Sequence, residues 1–349
     1  MLGVCHYNQF SMTVSVRSFA KINLGLRIGA PRPDGFHQLL TVYQTIALHD
    51  VIRVTLTRGS GIEIRCADAR VPTDESNTCF CVVDRAMQAL GTERRVRIDI
   101  EKRLPVQGGL GGASANAVAT LLALERALKK SLPAAVRFGI AAEVGSDLPL
   151  FLIGGTALGV GRGEQVYPLP DLPSIPCVIV TPEIGVSTPK AFAAWDERYG
   201  EGALAREGPG SLSGAHPELT LSAPSDRMNE LSRELSAWLS MPYSGAPSRW
   251  LKRGGRAGNP LLWLVRAGIK NDFEEVVFPE YPELREGKHA LERAGAEYAS
   301  LSGSGSTLYG LFASREGAAR AAAKLRKQGW AAQATATLPR PRYWSGMFV

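Results

Sequence analysis

Between Thr13 and Ile28 polar and apolar residues alternate with a two-residue period, the pattern of a strand with one buried face, and Pro31 to Gly35 predicts a turn after it. Val42 to Thr57 continues in short β-like runs. The period then changes. Asn77 to Leu90 is amphipathic in the helical sense, and Val96 to Ile100 returns to a strand pattern. Glycines crowd Gly108 to Gly112 directly ahead of Ala113 to Lys129, an Ala-rich run that favours helix. Further along, the pattern predicts a short helix over Ala134 to Val144 and strands over Leu150 to Leu158 and Cys177 to Thr181. Helices are expected over Pro260 to Ala267 and Tyr281 to Ala294, and extended runs over Tyr298 to Leu301 and Leu308 to Phe312. A strong helix, Arg315 to Gln328, and a β-like run, Ala331 to Leu338, close the chain. From Asp196 to Asn259 Gly, Pro, Ser and Ala prevail and periodicity lapses, apart from a helical stretch near Asp226 to Leu239. A surface insertion is expected there. Strand and helix alternate on both sides of it, so the chain reads as α/β or α+β in two modules.

Composition narrows the class. The 349 residues exceed the size at which one core usually keeps growing, and 45% hydrophobic with 21% charged residues is the balance of a folded globular chain. No stretch approaches the roughly 18 apolar residues of a membrane span, and the first residues lack the charged and apolar blocks of a targeting segment, so a cytoplasmic protein with no membrane partner is expected. The five cysteines are scattered and odd in number, which suits free thiols better than disulfides or zinc. The net charge of +7 comes largely from the stretch beginning at Arg315, with seven Lys or Arg against Glu316 alone. Without interleaved aromatic residues this reads as a solvated helix face rather than a nucleic-acid surface.

Five segments could carry chemistry. In Pro105 to Ala115 small residues let backbone N–H groups approach an anion at the start of a helix, where the helix dipole favours negative charge. The segment is neither a Walker A loop nor a dinucleotide fingerprint, and a tight strand-to-helix turn would use the same glycines. In Ser18 to Leu26 strand alternation predicts Lys21, Asn23 and Gly25 on one face and Ile22, Leu24 and Leu26 on the other, forming either a cleft wall or an ordinary sheet edge. Asp34 to His37 sets a turn before an aromatic ring and an imidazole, able to stack on a base or simply to close a hairpin. Asp147 follows a short helix as a capping residue or a functional carboxylate, and Ser300 to Thr307 is a turn or a second wall of donors.

Taken in order, these segments resemble the GHMP kinases, whose three motifs match Val16 to Leu26, Pro105 to Ala119 and Ala299 to Leu311. Within that superfamily Ala20 to Leu24, Asp34 to His37, Glu101 to Pro105, Gly145 to Asp147, Asn271 to Glu274 and Leu301 to Gly305 are similar to the diphosphocytidyl-methylerythritol kinase family. The resemblance implies an α+β fold of two domains, residues 1–175 binding ATP and residues 176–349 forming a ferredoxin-like domain with a long insertion near 196–259. It implies transfer of the ATP γ-phosphoryl group to the 2-hydroxyl of 4-diphosphocytidyl-2-C-methyl-D-erythritol, with Mg2+. Lys21 and Asp147 are then expected to be catalytic. Asn77, Lys102, Pro105, Val106, Gln107, Gly108, Gly109, Leu110, Gly111, Gly112, Ala113, Ser114 and Ala115 are expected at ATP, Ser114 also at the metal, and Asn23, Phe36, His37 and Phe192 at the cytidine. Two departures stand out: Ala113 and Ala115 occupy glycine and serine positions of the family loop, and Phe36 replaces its usual tyrosine. The rival readings are a homoserine or mevalonate kinase, which would lack the Phe36 and Phe192 pair, and a non-catalytic nucleic-acid-binding protein using the basic tail. The oligomeric state is left open.

Overall fold

The computed structural model describes residues 12–106, 108–200, 228–229, 231–233 and 270–349. Two sheets carry the chain. The first holds β1 (Met12–Pro31), β2 (His37–Thr57), β3 (Gly61–Cys66), β4 (Arg95–Glu101), β5 (Thr156–Gly161) and β6 (Gln165–Pro168). One edge of β2 pairs with β1 along its length, and the other pairs first with β5 and then with β4. Helices α1 (Thr78–Ala89), α2 (Gly112–Leu128), α3 (Ala134–Val144) and α4 (Leu148–Phe151) complete this half. Their apolar faces bury Val82, Val83, Leu121 and Leu124 against Ile52, Val54, Val96 and Ile98 of the sheet.

The second sheet comprises β7 (Pro176–Val180), β8 (Tyr298–Leu301), β9 (Leu308–Leu311) and β10 (Ala332–Ala336) in the order β10-β7-β9-β8, with every pair antiparallel. Helices α5 (Thr188–Tyr199), α6 (Glu274–Glu280), α7 (Pro282–Arg293) and α8 (Arg315–Lys327) belong to it, giving a ferredoxin-like arrangement of two strand-helix-strand units. On α8 Ala318, Ala321, Ala322 and Leu325 are buried while Arg315, Arg320, Lys324, Arg326 and Lys327 are exposed, so the basic stretch is a solvated helix face. The last helix, α9 (Arg340–Met347), returns to the first half, where Tyr343 and Met347 enter its core. A third cluster, including Ile22, Leu24, Ile46, Ile179 and Tyr309, fastens the two sheets together.

Three details differ from the sequence expectation. The apolar run Leu150 to Leu158 is not one strand: α4 covers its start, Gly154 and Gly155 turn with positive φ, and β5 begins only at Thr156. A buried apolar run has no period that separates strand from helix, which is why the pattern misled. Helix α5 continues to Tyr199, with Trp195 and Tyr199 buried, so the first residues assigned to the insertion belong to the fold. Finally, a bulge in β1 between Asn23 and Gly25 inserts Leu24 and moves Leu26 to the face of Asn23, while Gly25 crosses to the other. The helices expected over Pro260 to Ala267 and, for the most part, near Asp226 to Leu239 lie outside the described residues, as do Cys5 and Gln107. The cysteines at 66, 79, 81 and 177 are free, and burial pushes the Cys79 thiol up to about 12.

Candidate active site

Lys21, Asn23, His37, Asn77, Lys102, Ser114, Asp147 and Phe192 line one cavity of about 630 Å3 that spans both halves. At one end lies the glycine loop, and it is built almost wholly from backbone. Gly109 has φ +75°, and a Cβ there would lie 2.2 Å from the carbonyl oxygen of Ser302, so only glycine fits. Ser302 Oγ donates to Gly109 O at 2.9 Å, Thr307 N to Gly108 O at 3.2 Å, and Lys21 N to Leu110 O at 3.0 Å. The loop is thus bonded on one side to the late Ser-Gly segment and on the other to the strand bearing Lys21. Gly111, with φ +67°, starts α2 without any side-chain cap, which leaves the first N–H groups of a 17-residue helix facing the cavity.

Beneath this loop Asp50 is fully buried and accepts four hydrogen bonds: Lys102 Nζ at 2.6 Å, the backbone N of Arg103 and of Leu104 at 2.7 Å each, and Asn116 Nδ2 at 3.0 Å. One carboxylate therefore fixes the entry to the loop, the helix that leaves it and the ammonium beside them. Asn77 caps α1, accepting from Cys79 N at 2.8 Å and donating to Pro72 O at 2.6 Å. Ala113 is exposed, so the methyl group at the family's glycine position meets no wall, whereas Ala115 is buried in the core and does not reach the cavity.

At the centre Lys21 Nζ lies 3.2 Å from Asp147 Oδ2 and donates to Asn23 Oδ1 at 2.7 Å. Asn23 Nδ2 passes the chain on to Thr41 Oγ1 at 2.8 Å, and Thr41 donates to Gly25 O. Asp147 stands at the first position before α4 but caps nothing, and its side chain is 30% exposed, open to the cavity. Tyr43, which the sequence did not single out, donates to Asp147 Oδ1 at 3.0 Å, and its ring lies 5.7 Å from Lys21 Nζ. Burial, and then the charge of Asp147, push the Tyr43 phenol well above its ordinary range. It stays a donor at any ordinary pH. A carboxylate with one face toward open space, held by an ammonium and a phenol, can accept a proton from a hydroxyl brought to it.

The other end of the cavity is built from side chains. The turn after β1 is closed by Arg32 N donating to Phe36 O at 2.7 Å and by Asp34 Oδ1 accepting from Phe36 N at 3.2 Å. Phe36 is left 49% exposed, with the Arg162 guanidinium 4.8 Å from its ring centre. His37 stacks on Phe192, their rings parallel within 8° and their centres 4.9 Å apart. Phe273 meets Phe192 edge-on at 5.0 Å. Phe273 belongs to Asn271 to Glu274, whose other members hold the neighbouring loops. Asn271 donates to the carbonyls of Leu301 and Gly303, Asp272 pairs with the buried Arg27 at 2.9 Å, and Glu274 accepts from Ser300 Oγ and Leu301 N.

The matches with known proteins agree with this geometry. Residues 77–155 match the model of the GHMP kinases N terminal domain, and residues 260–330 match that of the GHMP kinases C terminal domain. A 4-diphosphocytidyl-2-C-methyl-D-erythritol kinase of Solibacter usitatus (strain Ellin6076) is 37% identical over 306 residues, covering 88% of this chain and 83% of its own length. The chain belongs to the 4-diphosphocytidyl-2-C-methyl-D-erythritol kinase family. Another member, from Moorella thermoacetica, is 33% identical over 315 residues, covering 90% of this chain and 95% of its own. Among solved structures, a crystal structure of 4-(cytidine 5'-diphospho)-2C-methyl-D-erythritol kinase superposes with a TM-score of 0.65 at 27% identity, over 93% of this chain and 98% of that one. A homoserine kinase from Cytophaga hutchinsonii, 20% identical with a TM-score of 0.63 over 97% and 98%, shares the fold. Within this kinase family ATP is the co-substrate, and no helix among the described residues is long and apolar enough to cross a membrane.

Proposed function

We propose that this kinase transfers the γ-phosphoryl group of ATP to the 2-hydroxyl of 4-diphosphocytidyl-2-C-methyl-D-erythritol, giving the 2-phosphate and ADP in the cytoplasm. The observation that carries the reading is the Lys21–Asp147 pair, 3.2 Å apart, set between a backbone-lined loop and an aromatic pair in one cavity. ATP phosphates lie along the N–H groups of Gly108 to Ser114, with Asn77 and Lys102 beside the nucleotide. Cytosine stacks with Phe36 and Phe192 and is read by His37, with Asn23 beside it on the cavity wall. Asp147 takes the proton as the substrate oxygen attacks, and Lys21 keeps Asp147 ionised and offsets charge on the transferring group. Such transfer needs mainly positioning and charge stabilisation.

The described residues contain no cluster of three or more His, Cys, Asp or Glu fit to hold a metal, which suits Mg2+, an ion commonly bound through phosphate oxygens and water. The Ser114 hydroxyl, on the first turn of α2 and on the cavity wall, is the side chain that would join it. When bound with ATP, Mg2+ supplies charge neutralisation on the phosphoryl oxygens. We further take residues 1–175 as the ATP-binding domain and residues 176–349 as the second, with α9 returning to the first core. The test is ADP release from Mg-ATP with the cytidylyl alcohol, homoserine, mevalonate or no acceptor. Turnover with the cytidylyl alcohol alone is expected, and turnover with another alcohol instead would overturn the substrate.

A further inference from the structure

Asp196 follows Phe192 by one turn of α5, so the two side chains project from the same helix face. Its Oδ1 lies 2.7 Å from His37 Nε2. His37 is 7% exposed, while Asp196 is 48% exposed and free of any core role. The stacking of His37 on Phe192 gives this contact a consequence. Parallel rings in contact are about 3.5 Å apart, so a centre-to-centre distance of 4.9 Å means that the imidazole is slid sideways across Phe192. A base stacked on the uncovered part of Phe192 would lie in the plane of the imidazole and meet its edge.

What that edge offers depends on which nitrogen carries the hydrogen. In a neutral imidazole one nitrogen donates and the other accepts, and a carboxylate can only accept. In the neutral ring Asp196 therefore keeps the hydrogen on Nε2 and leaves Nδ1 an acceptor. Among the described residues the imidazole bonds through Nε2 alone, and His37 lines the cavity. An acceptor there complements the exocyclic amino group of cytosine and opposes the carbonyl oxygen that uracil carries at the same position. We propose that Asp196 is a positioning residue for base selection, holding His37 as the tautomer that accepts from cytosine and turns uracil away. The inference rests on the cytidylyl reading given above and adds to it the residue that sets the base preference.

The test uses the full-length enzyme at pH 8, above the ordinary imidazole range of about 6.5, with wild type, Asp196→Asn and Asp196→Glu. An asparagine amide can donate to Nε2 and so release the tautomer. Asp196→Asn is expected to raise KM for the cytidylyl substrate about tenfold, the scale of one good hydrogen bond. The effect should fall on that KM and not on kcat or the ATP KM. The preference for the cytidylyl substrate over its uridylyl analogue should narrow by at least about tenfold, and Asp196→Glu should recover part of it. Nitrogen-15 NMR of His37 should show the Nε2–H form in wild type and its loss in Asp196→Asn. Unchanged preference in Asp196→Asn, or an Nδ1–H imidazole in wild type, would overturn the inference. A wild type inert on the cytidylyl substrate would instead sink the substrate reading, and the NMR comparison, which needs no substrate, would still decide whether Asp196 sets the tautomer.

Discussion

The two ends of the cavity are made of different material. Around Gly108 to Ser114 the walls are peptide groups, held by the Ser302 hydroxyl and the Thr307 N–H, by the strand of Lys21 and by the buried carboxylate of Asp50. Around Phe36, His37 and Phe192 the walls are rings placed by a hairpin turn, by Asp196 and by the edge of Phe273. A triphosphate is the same in every nucleotide and asks only for N–H groups and positive charge, which backbone supplies without rotamer entropy. A base must be told from other bases, and that calls for side chains whose hydrogen-bond pattern can differ. Between them, Lys21 is tied to the loop through its own N–H to Leu110, and Asp147 to the sheet through Tyr43.

This contrast can be broken or sharpened by substitution. The largest effect is expected at the centre, where Asp147→Asn should lower kcat by about 10^2- to 10^4-fold, the usual worth of a general base, while leaving ATP affinity unchanged in a binding titration. Next comes Gly109→Ala, which adds a methyl where the carbonyl of Ser302 already stands. It should raise the ATP KM and lower the melting temperature together, with at least about 1–2 kcal/mol lost to the left-handed backbone alone. At the base end the dependence reverses, because removing a side chain is what hurts: Phe192→Ala should weaken cytidylyl binding by about 1–3 kcal/mol, read by calorimetry, with the ATP KM unmoved. The smallest effect is expected for Ser114→Ala, in which the backbone donors remain and only the Mg2+ concentration needed for half-maximal rate should rise. A large loss of ATP binding in that variant would show that side chains matter at the phosphate end after all.

Much of this was legible in the residues, and the gaps have physical causes. The alternation around Lys21 and Asn23 correctly placed both on one wall, because period two holds as long as the strand is regular. It failed at Leu26, where a bulge that leaves no mark in the pattern reverses the faces. Tyr43 and Asp50 went unnoticed because each sits in a β-like run as an ordinary strand residue, and only the pairing of β2 with β1, β4 and β5 brings them to Asp147 and the loop. Asp196 was hidden by composition. It opens a Gly- and Pro-rich stretch, yet the buried Trp195 and Tyr199 on either side carry α5 past it.

The most direct measurement is phosphorus-31 NMR of the reaction mixture of wild-type enzyme, Mg-ATP and 4-diphosphocytidyl-2-C-methyl-D-erythritol. One new phosphate monoester on the 2-hydroxyl carbon is expected for each ADP formed, with the diphosphate resonances of the acceptor retained. ADP without that monoester, or a lengthened phosphate chain on the cytidylyl group, would contradict transfer to the hydroxyl by Asp147 and Lys21.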